Sequence, residues 1–276
     1  MNEWLLAHEG LIRLGFFLGV FVAMAVWEVR APRRRPSFNR KTRWPTNLGI
    51  VVFNTLLLRA LFPFAAVGMA WTVERHQWGL FHNLDIPYAI KVIGATVALD
   101  LLIYLQHVVF HAVPVLWRLH MVHHTDVDFD VTTGNRFHTA EILVSMLIKA
   151  GAISALGAPC LAVLIFEVML NAGAMFNHAN VKLPERADRI LRWFVVTPDM
   201  HRVHHSNLPS ETHSNFGFNL SIWDRILRTY RENPAAGHER MTIGLTAWRD
   251  ARRLKLPRLI RMPFVERGSG DPLVRR

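Results

Sequence analysis

Eleven of the 15 histidines in this 276-residue chain fall between residues 107 and 213, and they fall in groups. They read His107-x3-His111, His120-x2-His123-His124, a single His138, a single His178, His201-x2-His204-His205, and His213. Spacings of three and four place side chains on one helical face. Two imidazoles so placed can share one metal, and a three-histidine group can offer ligands to two neighbouring metals. A single HxxxH is a weak signal; one HxxxH combined with two HxxHH groups is a strong one. This many histidines exceed what one tetrahedral zinc needs, so two metals are implied.

Imidazole suits zinc, copper, iron or nickel. No His-Glu-x-x-His is present, since His238-Glu239 is followed by Arg-Met-Thr, and that argues against a zinc metallopeptidase. Two stripes add to the pattern. Asp100, Tyr104, His107 and His111 follow one another at four, three and four, and Glu167, Asn171 and His178 share a second face. An acid in a membrane-spanning segment is costly and points to function. Its expected role here is to accept a hydrogen bond from a ligand imidazole, which fixes the tautomer and raises basicity.

The elements that must carry these groups are apolar. Hydrophobic residues make up 51% of the chain, charged residues 19%, and the mean hydropathy is +0.18. That excludes disorder. A single cysteine, Cys160, excludes a disulfide scaffold and a thiolate metal cluster. Apolar runs cover 11–27, 47–71 (interrupted by Arg59 and Pro63), 87–113 and 142–176, the last broken at Gly157-Ala158-Pro159. A span needs about 20 apolar residues, so the first three read as single crossings and 142–176 as a hairpin with short legs. No small-residue cleavage site follows the first run, which reads as an uncleaved helix.

The net charge of +11 is segregated. Arg30–Arg43 holds seven basic residues and no acid, while residues 182–276 hold 18 basic against 10 acidic. Basic loops mark the cytoplasmic side. The expected fold is therefore all-α: a multi-pass helical membrane protein whose histidine-rich helical cap, and active site, lie on the cytoplasmic face. Residues 184–196 mix arginines with Ile190, Trp193 and Phe194, as an interfacial helix would. His8, His76 and His82 fall near the opposite side and read as surface groups, as does His238. Cys160 reads as packing, residues 257–276 as a surface tail, and Arg33–Arg35 as a topology determinant against anionic lipid rather than a nucleic-acid site. A nitrogen-rich two-metal site at a bilayer surface suits iron and oxygen activation, the metal supplying the oxidant while protein positions substrate.

The chain resembles the fatty acid hydroxylase/sterol desaturase family of membrane di-iron oxygenases. The matching stretches are Asp100-LLIYLQ-His107-VVF-His111, LWRLHMVHHTDVDFDVTTGNRFHTAE from Leu116, FNHANVKLP from Phe176, VTPDMHRVHHS from Val196 and NFGFNLSIWDRILRTY from Asn215. They cover about half the chain. The resemblance implies a di-iron centre that hydroxylates or desaturates a lipid C–H bond with O2 and external electrons. It implies His107, His111, His120, His123, His124, His201, His204 and His205 as ligands, with His178 completing the set. His138, His213, Asp100, Glu167 and Asn171 are candidates for further ligands or outer partners. The sequence departs from relatives at Thr139, where Pro is frequent; at Leu227-Arg228-Thr229-Tyr230, where Phe-Gly-Thr-Tyr is frequent; and at His213, where Asn is frequent.

The expected organisation is residues 1–99 as N-terminal spans and basic loop, 100–230 as the catalytic region with its membrane hairpin at 142–176, and 231–276 as a basic cytoplasmic tail. Expected partners are the bilayer, a lipid substrate and a separate electron carrier such as ferredoxin or cytochrome b5, since neither a His-Pro-Gly-Gly haem motif nor a CxxC is present. Two other readings use the same histidines. A non-enzymatic metal transporter or sensor would want ligands at the bilayer midplane, and a zinc hydrolase would want a general base, for which Glu141 is the candidate.

Overall fold

Within hydrocarbon there is no water to satisfy a backbone, so long apolar runs must close their N–H and C=O groups inside a helix. The computed structural model describes residues 2–62, 65–250 and 254–265, and among them there are helices and no strands. The long ones are α1 (Asn2–Arg30), α2 (Arg40–Leu61), α3 (Ala65–His76), α4 (Tyr88–Ala112), α6 (Thr139–Leu156) and α7 (Cys160–Asn177). Between and after them lie α5 (Pro114–His124), α8 (Glu185–Leu191), α9 (Pro198–His204), α10 (Pro209–Thr212), α11 (Ile222–Ile226), α12 (Gly237–Arg240) and α13 (Leu256–Val265).

Five segments are long and apolar enough to cross a membrane: Glu3–Arg30, Arg40–His76 (α2 with α3), Tyr88–Ala112, Thr139–Leu156 and Cys160–Asn177. Arg59, expected to interrupt the second run, stays inside α2; the helix ends at Leu61 with Phe62 non-helical, and Pro63 lies outside the described residues. The hairpin turns where expected. Gly157 caps α6 in the left-handed region (φ 66°), and Pro159 precedes α7. A Cβ at Gly157 would stand 2.5 Å from the Trp78 carbonyl oxygen, so glycine is needed for both backbone angle and space. Each leg has 18 residues, about 27 Å of helix, slightly short of a ~30 Å hydrocarbon core.

An apolar core joins α3, α4, α6 and α7 through Val67, Ala70, Leu99, Ile153, Ala162 and Phe166, and α1 packs along α7. The second helix is inverted relative to a helix in water. Its buried residues are Arg43, Asn47, Ile50 and Asn54, one face at steps of four, three and four, while Val52, Phe53 and Leu56 point outward. That polar face grips the loop after α5. Arg43 donates to both oxygens of Asp126 (Nε 2.7 Å, Nη2 2.7 Å) and to Asp130 (Nη1 2.6 Å), and Asn47 Nδ2 donates to Asp126 Oδ2 (3.0 Å). Arg136 is fully buried beside them, donating to the Val122 carbonyl (3.1 Å), Asn47 Oδ1 (3.1 Å) and Thr125 Oγ1 (2.8 Å). The guanidinium of Arg43 beside Asp126 holds that carboxyl far below the usual range despite burial.

Several surface assignments change. Arg33 Nε donates to Asp199 (3.0 Å) and its Nη1 to Glu239 (3.2 Å), and Arg34 Nη1 donates to the Met241 carbonyl (2.9 Å). These two side chains therefore fasten the N-terminal loop to the cap instead of reaching lipid; Arg35 alone of the three is exposed. His238 is buried 3.7 Å from Asp199, and burial pushes its imidazole down to about 4. The C-terminal region is also packed: Leu259 and Met262 of α13 join Ile50, Trp117, Met121 and Leu245 in a second core. Residues 266–276 of the expected tail lie outside the described residues. Of the interfacial helix expected over residues 184–196, Glu185–Leu191 is helical and Arg192 is buried, while Ile190, Trp193 and Phe194 are exposed as an interfacial segment requires.

Arg43→Met leaves the Asp126 carboxylate buried without its main partner, a loss of about 3–5 kcal/mol. Lys41→Met at the neighbouring exposed site should stay within about 0.5 kcal/mol. Unfolding in detergent checks this; an Arg43 variant as stable as the Lys41 variant contradicts the network's importance.

Candidate metal centre

Four elements deliver the histidines to one end of the bundle. His107 and His111 occupy the last turns of α4. Pro114 begins α5 directly after Val113, which is held extended as residues before proline are. The chain therefore folds back at once, so that at the end of α5 His120 and His124 meet the α4 histidines while His123 meets His178 and His205. Thr197 caps α9, its Oγ1 accepting from Met200 N (3.3 Å), and Pro198 opens the helix, which carries His201 and His204 with His205 at its end. His178 ends α7. Gly134 lets the loop after α5 come against that end, since a Cβ there would stand 2.3 Å from the Ala174 carbonyl oxygen.

The nine histidines gather in two adjoining groups, each with ligand atoms within 4.8 Å of one another. One holds His107, His111, His120, His124 and His204; the other holds His123, His178, His201 and His205, and all nine are buried. The groups touch: the ring centroid of His124 lies 4.6 Å from that of His205, and that of His204 lies 5.1 Å from that of His201.

Carbonyl and carboxylate oxygens can only accept, so they set which ring nitrogen carries the proton. His107 Nδ1 donates to the Phe216 carbonyl (2.8 Å), His204 Nδ1 to the Ser214 carbonyl (2.8 Å), His178 Nδ1 to the Ala174 carbonyl (2.7 Å) and His120 Nδ1 to Glu141 Oε1 (2.6 Å). The opposite nitrogen of each ring then presents a lone pair. In the second group His178 Nε2 lies 3.1 Å from the Nε2 atoms of His123, His201 and His205 alike. In the first, Nε2 of His107, His120, His124 and His204 and both nitrogens of His111 are buried without any partner. An unpartnered buried polar atom costs about 1–3 kcal/mol. A set of convergent lone pairs is stable when a cation sits among them. Burial pushes His123, His124, His201, His204 and His205 well below the usual imidazole range, and His178 down to about 3. Neutral rings are the form that binds metal, and an all-imidazole set fits iron among the divalent transition metals.

The remaining candidates lie outside both groups. Asp100 does not touch His107: its oxygens accept from Asn219 Nδ2 (2.8 Å), Leu220 N (3.2 Å) and Trp223 Nε1 (2.8 Å). It holds in place the segment whose Phe216 carbonyl holds His107, so it acts one step further out than the stripe suggested. Asp224 continues that work, accepting from Phe216 N and Gly217 N (both 2.8 Å) and Thr229 Oγ1 (2.6 Å); burial raises it to about 6. Glu167 binds Lys149 rather than His178, and Asn171 Nδ2 donates to the Glu167 carbonyl (2.7 Å). His138 caps α6, its Nδ1 accepting from Ala140 N (3.1 Å) and its Nε2 donating to the Ile260 carbonyl (3.0 Å), so neither nitrogen is open. His213 stands edge-on to His111, with ring centroids 5.6 Å apart. The residue that sequence reasoning undervalued is Glu141. It follows His138 by three residues, in the first turn of α6, and was legible only as an acid near the cluster. A cavity of about 240 Å³ opens beside it, touching His107 and His120 and extending between α4, α6 and α7.

The pattern of the family described as "Fatty acid hydroxylase" matches residues 92–229, half of the chain. Among curated proteins, the chain is 30% identical over 148 residues to the ornithine lipid hydroxylase OlsE of Rhizobium tropici, covering 54% of this chain and 44% of that protein. It is 27% identical over 184 residues to the alkylglycerol monooxygenase of Xenopus tropicalis (66% and 36%), and 25% identical over 158 residues to that of Homo sapiens (55% and 32%). The chain spans less than half the length of these relatives. No solved structure gives a significant match.

Removing Glu141 frees the His120 ring to rotate and to change tautomer. Outer partners of this kind are worth about 10–100-fold in metal affinity. Glu141→Ala should therefore surrender iron to a chelator at a concentration about 10–100-fold lower than the unaltered chain does, with Glu141→Gln between them. Equal retention by all three would remove Glu141 from the site.

Proposed function

The chain belongs to the fatty acid hydroxylase family, and on that premise we propose that it hydroxylates a C–H bond of a membrane lipid, with O2 as oxidant and electrons brought by a separate protein. The observation that carries this reading is the pair of buried histidine groups with convergent ring nitrogens beside a cavity between membrane-type helices. One iron would sit in each group: the first held by His107, His111, His120, His124 and His204, the second by His123, His178, His201 and His205. Bound there, iron would supply the oxidising power needed to put one atom of O2 into a C–H bond, the other leaving as water with two electrons and two protons. Desaturation of the same lipid draws on the same oxidant and differs in where the substrate lies.

The chain's own residues do the rest. Phe216, Ser214, Ala174 and Glu141 keep the lone pairs of His107, His204, His178 and His120 directed inward. Ile103, Phe110, Ile142, Met146 and Leu170 give the cavity apolar walls that take a lipid chain and exclude water. Glu141 Oε2 is buried without a partner on the cavity side of His120 and can hold or pass a proton there. Asp100, Asp224 and Gly134 act as positioning residues, and His138 as a helix cap.

Orientation follows from charge. Arg33 and Arg34 bond directly to the segments around Asp199 and Met241, so the basic loop and the histidines share one end, and basic loops stay cytoplasmic. On this reading the centre lies on the cytoplasmic face. Exposed Arg35, Lys182, Arg186 and Arg240 on that end suit an acidic carrier such as a ferredoxin or cytochrome b5. A metal transporter is disfavoured because the nine histidines sit at the ends of helices and beyond them, not along a path through the bilayer.

Full-length protein loaded with iron should hold two irons, and lipid mass spectrometry of membranes with and without the gene should show a species heavier by one oxygen. Less than one iron per chain, or lipid profiles that coincide, overturns the reading. Turnover with an acidic donor should fall steeply as salt rises past the ~10 Å screening regime of 0.1 M; a salt-independent rate would argue against charge-guided docking.

A further inference from the structure

The cavity beside the histidines leads to charges in the middle of the membrane helices. Glu141, Ser145 and Lys149 follow one another at steps of four on α6, and all three line it. Glu141 touches His120; Lys149 stands two turns further along, about 12 Å by helix rise. There Lys149 Nζ donates to Glu167 Oε1 (2.6 Å) and Arg13 Nη2 donates to Glu167 Oε2 (3.1 Å), while Arg13 Nη1 donates to Glu9 (3.2 Å). Lys149 and Glu167 are buried near the centres of 18-residue helices, and Arg13, Lys149 and Glu167 all border the cavity.

Charges at that depth are where a bilayer tolerates them least, and they point to function. If their role were only to join helices, hydrocarbon of similar volume would do it at no electrostatic cost. These charges instead face open space. An ammonium has three donors, and Lys149 commits one to Glu167. Closer to the histidines, Gln106 Nε2 donates to Ser145 Oγ (3.1 Å), leaving Gln106 Oε1 buried without a partner on the same wall. The two cations are matched by two carboxylates, so the group has donors to offer but no charge to neutralise.

We propose that Arg13, Lys149 and Glu167 form a recognition site for an uncharged oxygen-bearing group of the substrate, a hydroxyl or a carbonyl. It rests on the lipid hydroxylase reading and adds the substrate class: a lipid carrying a neutral polar group within the membrane, two helical turns from the carbon presented to His107 and His120. The cavity thereby measures a distance along the substrate. A plain hydrocarbon chain would leave the Lys149 donors unpaired and bind less well.

The test uses full-length, iron-loaded protein in detergent, kept anaerobic, with radiolabelled 1-decanol displaced by 1-decanol, n-decane or decanoate. We expect 1-decanol to displace about tenfold better than n-decane, the ratio for one hydrogen bond to a charged donor, and better than decanoate. Lys149→Met should remove the preference and leave n-decane affinity unchanged. Lys149→Met/Glu167→Leu, which leaves no buried carboxylate behind, covers the case in which the single variant fails to fold. An n-decane that competes as well as 1-decanol, a decanoate that outcompetes both, or a preference that survives both variants overturns the proposal. Iron content is read on the same preparations, and lipid oxidation on portions of them returned to air with an electron donor. A chain that holds iron and oxidises lipid but shows no preference for 1-decanol overturns the recognition site alone.

Discussion

Nine neutral imidazoles buried together must turn lone pairs toward one another, and for His107, His120, His178 and His204 the architecture does this by holding the ring proton on the outside of the cluster. The protons go to oxygens that cannot donate: the carbonyls of Phe216, Ser214 and Ala174, and the Glu141 carboxylate. Those oxygens must themselves be fixed. Phe216 is held through its N–H by Asp224, and the neighbouring residues Asn219, Leu220 and Trp223 are held by Asp100 of α4. Tyr104, one turn from Asp100, reaches Thr229 (2.8 Å) and closes the same segment from its far side. A helix in the membrane and a loop on the cap thus position His107 from both ends.

The surrounding solvent explains why the polar groups face inward. In water, a helix such as α2 would bury its leucines and expose Arg43, Asn47 and Asn54. In lipid the apolar face costs nothing to expose, and the polar face must find partners within the protein. It finds Asp126, Asp130, Thr132 and the Phe137 carbonyl, all in the loop that carries the chain away from His120–His124. The buried ion pairs therefore contribute position more than net stability: carboxylates and guanidinium groups at defined angles fix where the loop, and the histidines before it, stand.

The same logic extends to the cavity. Apolar walls suit a lipid, but Arg13, Lys149 and Glu167 at one end and the histidines at the other give it polarity at two points along its length. A space so marked discriminates by where a ligand's polar atoms fall, which an unbroken hydrocarbon pocket cannot do. Selectivity would then come from the middle of α1, α6 and α7, and oxidation from the helix ends that carry the histidines and Glu141, so the substrate class can change at Arg13, Lys149 and Glu167 without touching a metal ligand.

Local periodicity carried a great deal. Steps of three and four placed His107 with His111 and His120 with His124, because a helix brings such residues to one face whatever surrounds it. The long apolar runs, the turn at Gly157–Pro159 and the family resemblance were legible for the same reason: each depends on neighbours in sequence. What the sequence by itself could not decide was who pairs with whom across long separations. Asp100 shares a stripe with His107, yet its partners lie 119 to 123 residues away, and Glu167 shares a stripe with His178 but binds Lys149 and Arg13. Arg33 looked like a lipid-facing charge until the fold brought Asp199 beside it, and α13 looked like a tail until it packed on α2 and α5. Helical spacing says which residues face the same way, but which oxygen, lone pair or counter-charge they meet is set only when separate helices pack together.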